Sequence, residues 1–112
     1  MISFKQKDVV LADILFADGS DSKKRPALIV SNESFHSHRK EILVCAITSN
    51  TGRVLLGDTI IENWKEAGLK YSSSVLAVIQ TIHGRRIDHK LGELSDKDFK
   101  TVLSNLNKII TF

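Results

Sequence analysis

The sequence is poor in the residues that cross-link or interrupt a chain. It has one cysteine, Cys45, which excludes an intrachain disulfide, and one proline, Pro26. Aromatic residues make up only 6% of the chain. No apolar run approaches the roughly 20 residues that a helix needs to cross a bilayer. Residues 1–8 also lack the apolar stretch of a signal peptide, so we expect a cytoplasmic protein with no membrane segment.

The remaining composition is that of an ordinary globular protein. Hydrophobic residues account for 42% and charged residues for 26% of 112 residues. A chain of this length buries roughly two-thirds of its unfolded surface, so we expect one domain spanning residues 1–112. The net charge of +3 permits a polyanionic partner but does not require one.

The hydrophobic pattern predicts several short strands followed by one helix. Residues 41–48 form a continuous apolar run, which indicates a strand buried on both faces. Ser95 is a suitable N-cap for a helix that carries apolar residues at helical spacing from Phe99 to Ile110. Residues 17–24 and 32–40 are polar and are predicted to be loops, and residues 63–67 could form one helical turn ended by Gly68. Six strands are predicted, over residues 7–16, 25–31, 41–48, 53–62 (broken near Gly57), 74–82 and 87–91.

These elements predict a mainly β (α+β) fold. A strongly bent sheet or partly open barrel covered by a C-terminal helix satisfies them best. His36 and His38 stand two residues apart, but no cysteine or carboxylate cluster completes a four-ligand site, so no metal and no cofactor are expected. Cys45 lies within the most apolar strand, which favours a packed thiol over a reactive thiolate.

Two basic clusters are candidate phosphate-binding sites. Lys23, Lys24 and Arg25 follow a polar loop, and Thr48 and Ser49 end the third predicted strand. Arginine binds phosphate bidentately, and hydroxyl groups can donate to a phosphate oxygen. A solvated charge run and ordinary turn residues would look the same. The second cluster has the same two interpretations, a nucleic-acid contact or a charged edge strand, and it contains Arg85, Arg86, His89 and Lys90.

Taken in order, the motifs resemble the MazF/PemK family of toxin ribonucleases. The most specific is KRPALIVS at residues 24–31, preceded by DVVL at 8–11, Asp13 and a Gly-Ser loop. The others are AITS at 46–49, Gly68-Leu69 with the serines at 72–74, Thr81-Ile82, and LGELS at 91–95. The resemblance spans roughly residues 7–110.

The resemblance implies an SH3-like small β-barrel with a C-terminal α-helix, usually a homodimer. It implies sequence-specific, metal-independent cleavage of single-stranded RNA by attack of the ribose 2′-hydroxyl, leaving a cyclic phosphate and a 5′-hydroxyl. On the matching positions Arg25 and Thr48 would be the catalytic pair. RNA would be bound by Lys23, Lys24, Ser31, Ser49, Arg85 and Arg86. The partners would be single-stranded RNA and an antitoxin, a small protein whose acidic, disordered tail folds on binding.

One departure from the family leaves the chemistry open. Many relatives carry an arginine and a carboxylate on the strand that ends near Thr81, whereas residues 75–79 are apolar here. A general acid or base would have to be His36, His38, His83, or one of the loop acids Asp18 and Asp21. Two alternatives to a nuclease therefore stand: an inactive SH3-like module that binds RNA or an antitoxin, or a toxin that inhibits another macromolecule such as a topoisomerase.

Overall fold

The computed structural model describes residues 4–15 and 21–111 and contains one curled antiparallel sheet. The strands are β1 (Asp8–Leu15), β2 (Ser22–Ile29), β3 (Glu41–Thr48), β4 (Thr59–Ile60), β5 (Ser74–His83) and β6 (Ile87–Glu93), in the spatial order β4-β5-β3-β2-β1-β6. The helices are α1 (Glu33–His36), a 3₁₀ turn (Gly84–Arg86) and α2 (Asp96–Leu106). Within the described residues, no helix is long and apolar enough to cross a membrane.

The sheet bends until strands that are not neighbours meet. The side chain of Gln80 on β5 accepts a hydrogen bond from the Leu15 N–H (3.3 Å) and donates one to the Leu15 carbonyl (2.9 Å) at the end of β1. Two strands, β3 and β2, lie between β5 and β1 in the sheet, so this contact shows that the sheet has curled into a half-barrel. The predicted fold, a small bent β-sheet with a C-terminal helix, is confirmed.

Both faces of β3 are buried, as its apolar run predicts. Cys45 and Ile47 pack in a first hydrophobic cluster that also contains α2, whereas Val44 and Ala46 pack in a second cluster on the opposite face. Successive side chains of a strand point to opposite faces, so an alternating pattern is not needed when both faces are covered.

Helix α2 is held against the sheet by its own first turn. Ser95 caps it by accepting a hydrogen bond from the Asp98 N–H (3.1 Å). The Asp98 carboxylate, 2% exposed, accepts hydrogen bonds from the backbone N–H groups of Glu62 (3.1 Å) and Asn63 (2.9 Å). This joins the helix to the segment that precedes β5.

Several predicted boundaries are wrong. Strand β2 begins at Ser22 rather than at residue 25, so Pro26 lies inside it, and β4 spans two residues rather than 53–62. Proline is tolerated because β3 pairs with β2 only from Ala27 onward, which leaves an edge beside Pro26. The predicted loop 32–40 contains α1. Residues 63–67, in contrast, form the single turn that was predicted: the Ala67 N–H donates to the Asn63 carbonyl (3.2 Å), and Gly68 follows with a φ of +82°.

Candidate functional site

A groove of about 590 Å³ lies where β2 and β3 separate. Its apolar lining comes from Leu11, Pro26, Ile47, Leu69 and Leu91. Its polar lining combines cationic, hydroxyl and imidazole groups, from Lys23, Lys24, Arg25, Thr48, Ser49, Lys70, Tyr71, Ser73 and His89. A cavity of this size with a mixed lining is the usual form of a ligand site.

Arg25 and Thr48 both line the groove, just beyond the end of the β2–β3 ladder. The β2–β3 ladder pairs Ala27 with Ala46, and the same register continued by two residues places Arg25 opposite Thr48. The ladder ends at Ala27 and Ala46, so the backbones of β2 and β3 are not hydrogen-bonded to each other at Arg25 and Thr48. Thr48 Oγ1 accepts a hydrogen bond from the Asn50 N–H (3.1 Å), which orients the hydroxyl at the strand end.

The groove is strongly cationic. Lys23, Lys24, Arg25 and Lys70 line it, and no aspartate or glutamate does so among the residues that the structure describes. Asp88 Oδ1 accepts a hydrogen bond from Lys24 Nζ at 2.8 Å. This bond raises the pKa of Lys24 and lowers the pKa of Asp88, so both stay ionised over a wide pH range. The field in the groove therefore favours a polyanion.

Four polar groove residues lie outside the set predicted to bind RNA or to catalyse: Lys70, Tyr71, Ser73 and His89, of which His89 belongs to the second basic cluster. Tyr71 is 67% exposed although it is aromatic, and its carbonyl accepts a hydrogen bond from Ser73 Oγ (2.7 Å). His89 pairs in register with Leu11, which also lines the groove, and its Nδ1 lies 2.8 Å from Asp88 Oδ2. The only sequence signal for Tyr71 was an isolated tyrosine in the polar segment after Gly68. The sequence signals for His89 were its place in the second basic cluster and its neighbour Asp88 on a predicted strand.

Three residues predicted to bind RNA do not line the groove. Ser31 is 6% exposed, accepts a hydrogen bond from the Leu43 N–H (3.0 Å) and lies 2.6 Å from His36 Nε2. Arg85 and Arg86 belong to the 3₁₀ turn between β5 and β6. Their contact with RNA stays a prediction.

The groups considered for metal or thiol chemistry have other partners. Across residues 4–15 and 21–111, no cluster of three or more histidine, cysteine or acidic side chains is placed to hold a metal ion. His38 Nδ1 lies 2.9 Å from the Ser34 carbonyl, and burial raises the pKa of Cys45 to about 12. The candidate loop acid Asp18 falls outside the described residues. Asp21 accepts a hydrogen bond from the Ser22 N–H and does not line the groove.

Known proteins are similar to this chain over nearly its whole length. The chain is 32% identical over 100 residues to Endoribonuclease MazF of Staphylococcus saprophyticus, covering 88% of this chain and 83% of the relative. Its fold is similar to that of MazF from Deinococcus radiodurans (TM-score 0.78, 19% identity, 97% of each chain). It is also similar to an endoribonuclease solved with its cognate antitoxin from a mycobacterial species (TM-score 0.74, 18% identity, 95% and 93% of the chains).

The sequence profile of PemK-like and MazF-like toxins matches residues 5–110. This chain therefore belongs to the PemK-like, MazF-like family of toxins from type II toxin–antitoxin systems.

Proposed function

We propose that this protein is the toxin of a type II toxin–antitoxin system and acts as an endoribonuclease on single-stranded RNA. The observation that carries the proposal is the cationic groove beyond the end of the β2–β3 ladder, which Arg25 and Thr48 both line. Family membership and the name of the Staphylococcus saprophyticus relative, an endoribonuclease, support the same activity.

The residues fit a transesterification in which the RNA supplies its own nucleophile. The ribose 2′-oxygen attacks the adjacent phosphorus and the 5′-oxygen leaves, which gives a 2′,3′-cyclic phosphate and a 5′-hydroxyl. The guanidinium of Arg25 would bind the non-bridging oxygens as their charge increases, and the Thr48 hydroxyl would hold the phosphate in line. Neither role requires a metal ion.

A single strand suits this groove better than a duplex. Unpaired bases can turn away from the backbone and stack on an aromatic side chain, which a duplex does not allow. Tyr71 presents an exposed ring in the same groove as Lys70 and Arg25. The cations would follow the phosphates while the ring takes a base. Cleavage at a short preferred sequence would then depend on which base fits beside the ring.

An exposed apolar surface on one side of the molecule supports a homodimer. An added Cβ at Gly57 would lie 2.7 Å from Ala77 Cβ and 3.2 Å from Ile109 Cγ2, so β5, the segment before β4 and the C-terminal segment meet there. The segments that meet here carry large apolar side chains that are 37–73% exposed: Val54, Leu55, Leu56, Ile60, Val78, Ile79, Ile109 and Ile110. Patches of this extent usually mark an interface.

We further propose an antitoxin as the second protein partner and the cytoplasm as the site of action. The structural neighbour solved with its cognate antitoxin supports the first proposal. A cationic groove would accept an acidic antitoxin tail as readily as it accepts RNA, so the two ligands would compete.

The test is cleavage of a long, unstructured RNA by the purified protein in excess EDTA. We expect wild-type protein to cut at a recurring short sequence, and both Arg25→Ala and Thr48→Val to lose at least 100-fold in rate. Arg39→Ala is the matched control, because Arg39 is exposed and lies over the Phe35 ring, away from the groove.

A catalytically inactive binding module is the second candidate. The apolar and partly exposed Val78 and Ile79 on β5 favour it, because many relatives hold polar residues on this strand. Wild-type protein that binds the RNA without cutting it, and loses only affinity in Arg25→Ala, would establish this alternative and refute the nuclease.

A further inference from the structure

The reaction proposed above needs a group that removes the proton of the 2′-hydroxyl. Arginine and lysine side chains stay protonated near neutral pH, and hydroxyl groups stay neutral. Among the side chains that line the groove, only an imidazole changes protonation state close to pH 7. That side chain is His89, and the following inference rests on the proposed ribonuclease function.

The other histidines are engaged elsewhere. His36 Nε2 lies 2.6 Å from the buried Ser31 Oγ, and His38 Nδ1 lies 2.9 Å from the Ser34 carbonyl. His83 Nδ1 accepts a hydrogen bond from the Arg85 N–H (3.0 Å), which caps the 3₁₀ turn. None of the three lines the groove.

Asp88 orients the His89 ring. Its Oδ2 lies 2.8 Å from His89 Nδ1, and its Oδ1 accepts a hydrogen bond from Lys24 Nζ at 2.8 Å. The bond from Lys24 is the chief reason that the pKa of Asp88 is lowered, so this carboxylate is ionised and can only accept. His89 Nδ1 therefore carries the hydrogen, and the neutral ring keeps its free electron pair on Nε2.

The ring is also placed on the correct face. His89 lies opposite Leu11 in the β1–β6 ladder, and directly paired residues project to the same side of a sheet. Leu11 lines the groove, as His89 does, and the His89 side chain is 57% exposed, so the ring is accessible to a ligand.

We propose that His89 is the general base of this ribonuclease and that Asp88 is its positioning residue. His89 Nε2 takes the proton from the 2′-hydroxyl while the 2′-oxygen bonds to phosphorus. The bond from phosphorus to the 5′-oxygen breaks, and the 5′-oxygen takes a proton from water in the open groove. The imidazolium then returns its proton to solvent.

The proposal predicts how the cleavage rate depends on pH. The titratable and charged groups that share the groove with His89 are Lys23, Lys24, Arg25, Lys70 and Tyr71, with Asp88 beside the ring. Lysine, arginine and tyrosine side chains ordinarily keep one charge state between pH 5 and 8, and the bond from Lys24 lowers the pKa of Asp88 further from this range. An imidazole is the side chain that ordinarily changes charge there. The single-turnover rate should therefore fall on the acid side as one group is protonated, and that group is His89.

The experiment measures single-turnover cleavage from pH 5 to 9 in EDTA for wild type, His89→Gln and Asp88→Asn. His38→Gln is the matched control, because its ring lies outside the groove. We expect His89→Gln to lose 100-fold to 10,000-fold in rate and to lose the acid limb, with unchanged affinity for a 2′-deoxy substrate. Asp88→Asn should retain the limb and lose less rate. Added imidazole should partly restore cleavage by His89→Ala.

A second substrate tests whether His89 acts as the general base or as the general acid. A 5′-bridging phosphorothiolate needs no proton on its leaving group, so the loss in His89→Gln should persist with it. Disappearance of the loss would overturn the base assignment, as would an unchanged acid limb. If wild type cuts RNA and His89→Gln cuts it equally fast, the role of His89 is refuted and the proposed nuclease function stands. RNA left intact by wild type would refute the proposed function and this inference together.

Discussion

The buried carboxylate of Asp98 is expected to contribute strongly to the stability of this fold. Replacing it with alanine removes two hydrogen bonds that its buried carboxylate accepts, from the N–H groups of Glu62 and Asn63. Bonds to a charged group contribute about 1.5–3 kcal/mol each. Glu62 is exposed and Asn63 half-buried, so water can partly replace the lost acceptor, and we take the lower end, about 3 kcal/mol in total.

Urea unfolding at one protein concentration measures this loss. Trp64 is the only tryptophan and packs beside the first hydrophobic cluster, so its fluorescence reports the region that Asp98 holds. With a slope of about 1.5 kcal/mol/M, Asp98→Ala should lower the midpoint by about 2 M, and Asp98→Asn should lower it less because one acceptor oxygen remains.

Asp96→Ala is the control for the Asp98 prediction. Asp96 lies in the same helical turn but is exposed, and its ion pair with Lys7 is at the surface, so the midpoint should hardly change. Equal midpoint shifts for the two variants would refute the reasoning, because burial of the carboxylate would then have no effect.

Three further predictions concern single side chains. Tyr71→Ala should weaken RNA binding about tenfold in an Arg25→Ala background, as measured by fluorescence anisotropy, while Tyr71→Phe binds normally; equal affinities would show that no base stacks there. Cys45, whose pKa burial raises to about 12, should resist iodoacetamide at pH 8 in the folded protein and react in urea; rapid labelling of folded protein would contradict its burial. Asp88 has a lowered pKa, chiefly because Lys24 donates to it, so its stabilisation is present above the unfolded pKa of about 3.9 and is lost as pH falls through the folded value. The urea midpoint of wild type should therefore drop more steeply than that of Asp88→Asn between pH 5 and 2, and parallel curves would count against the ion pair.

The elements predicted best from the sequence are those whose pattern and burial agree. Residues 41–48 were predicted and observed as a strand, because an apolar run buried on both faces needs no other information. Residues 54–56 have the same apolar character but are exposed, so the predicted fourth strand shrinks to Thr59–Ile60. A pattern of hydrophobic residues does not distinguish a core from a surface that another chain could cover.

The polar start of β2 shows a different limit. Ser22 to Lys24 have low strand propensity, yet they pair with Leu15 to Asp13 of β1. Pairing with a neighbouring strand overrides the low strand propensity of these residues, and residues 22–24 alone do not indicate which strand they pair with.

Some residues of the candidate site could be predicted from the sequence, and others could not. Arg25, Thr48 and Ser49 were found because they lie within recognisable motifs, and the sheet then places them in one groove. The sequence placed His89 in a basic cluster, but only contacts between distant parts of the chain bring it, and Tyr71, into the groove with Arg25. The pairing of His89 with Leu11 joins residues that are far apart in the sequence, so no local pattern could indicate it.

The two glycines beside the groove determine how it can evolve. A Cβ on Gly68, whose φ is +82°, would lie 2.1 Å from the Leu91 carbonyl oxygen, and a Cβ on Gly92 would lie 2.5 Å from that of Ala67. Two backbones thus touch at the wall that carries Leu69 on one side and Leu91 on the other. No single substitution at either glycine can widen the groove without breaking this contact. We therefore expect new RNA preferences to arise through exchange of exposed side chains such as Tyr71, and not through a change in the spacing between the walls.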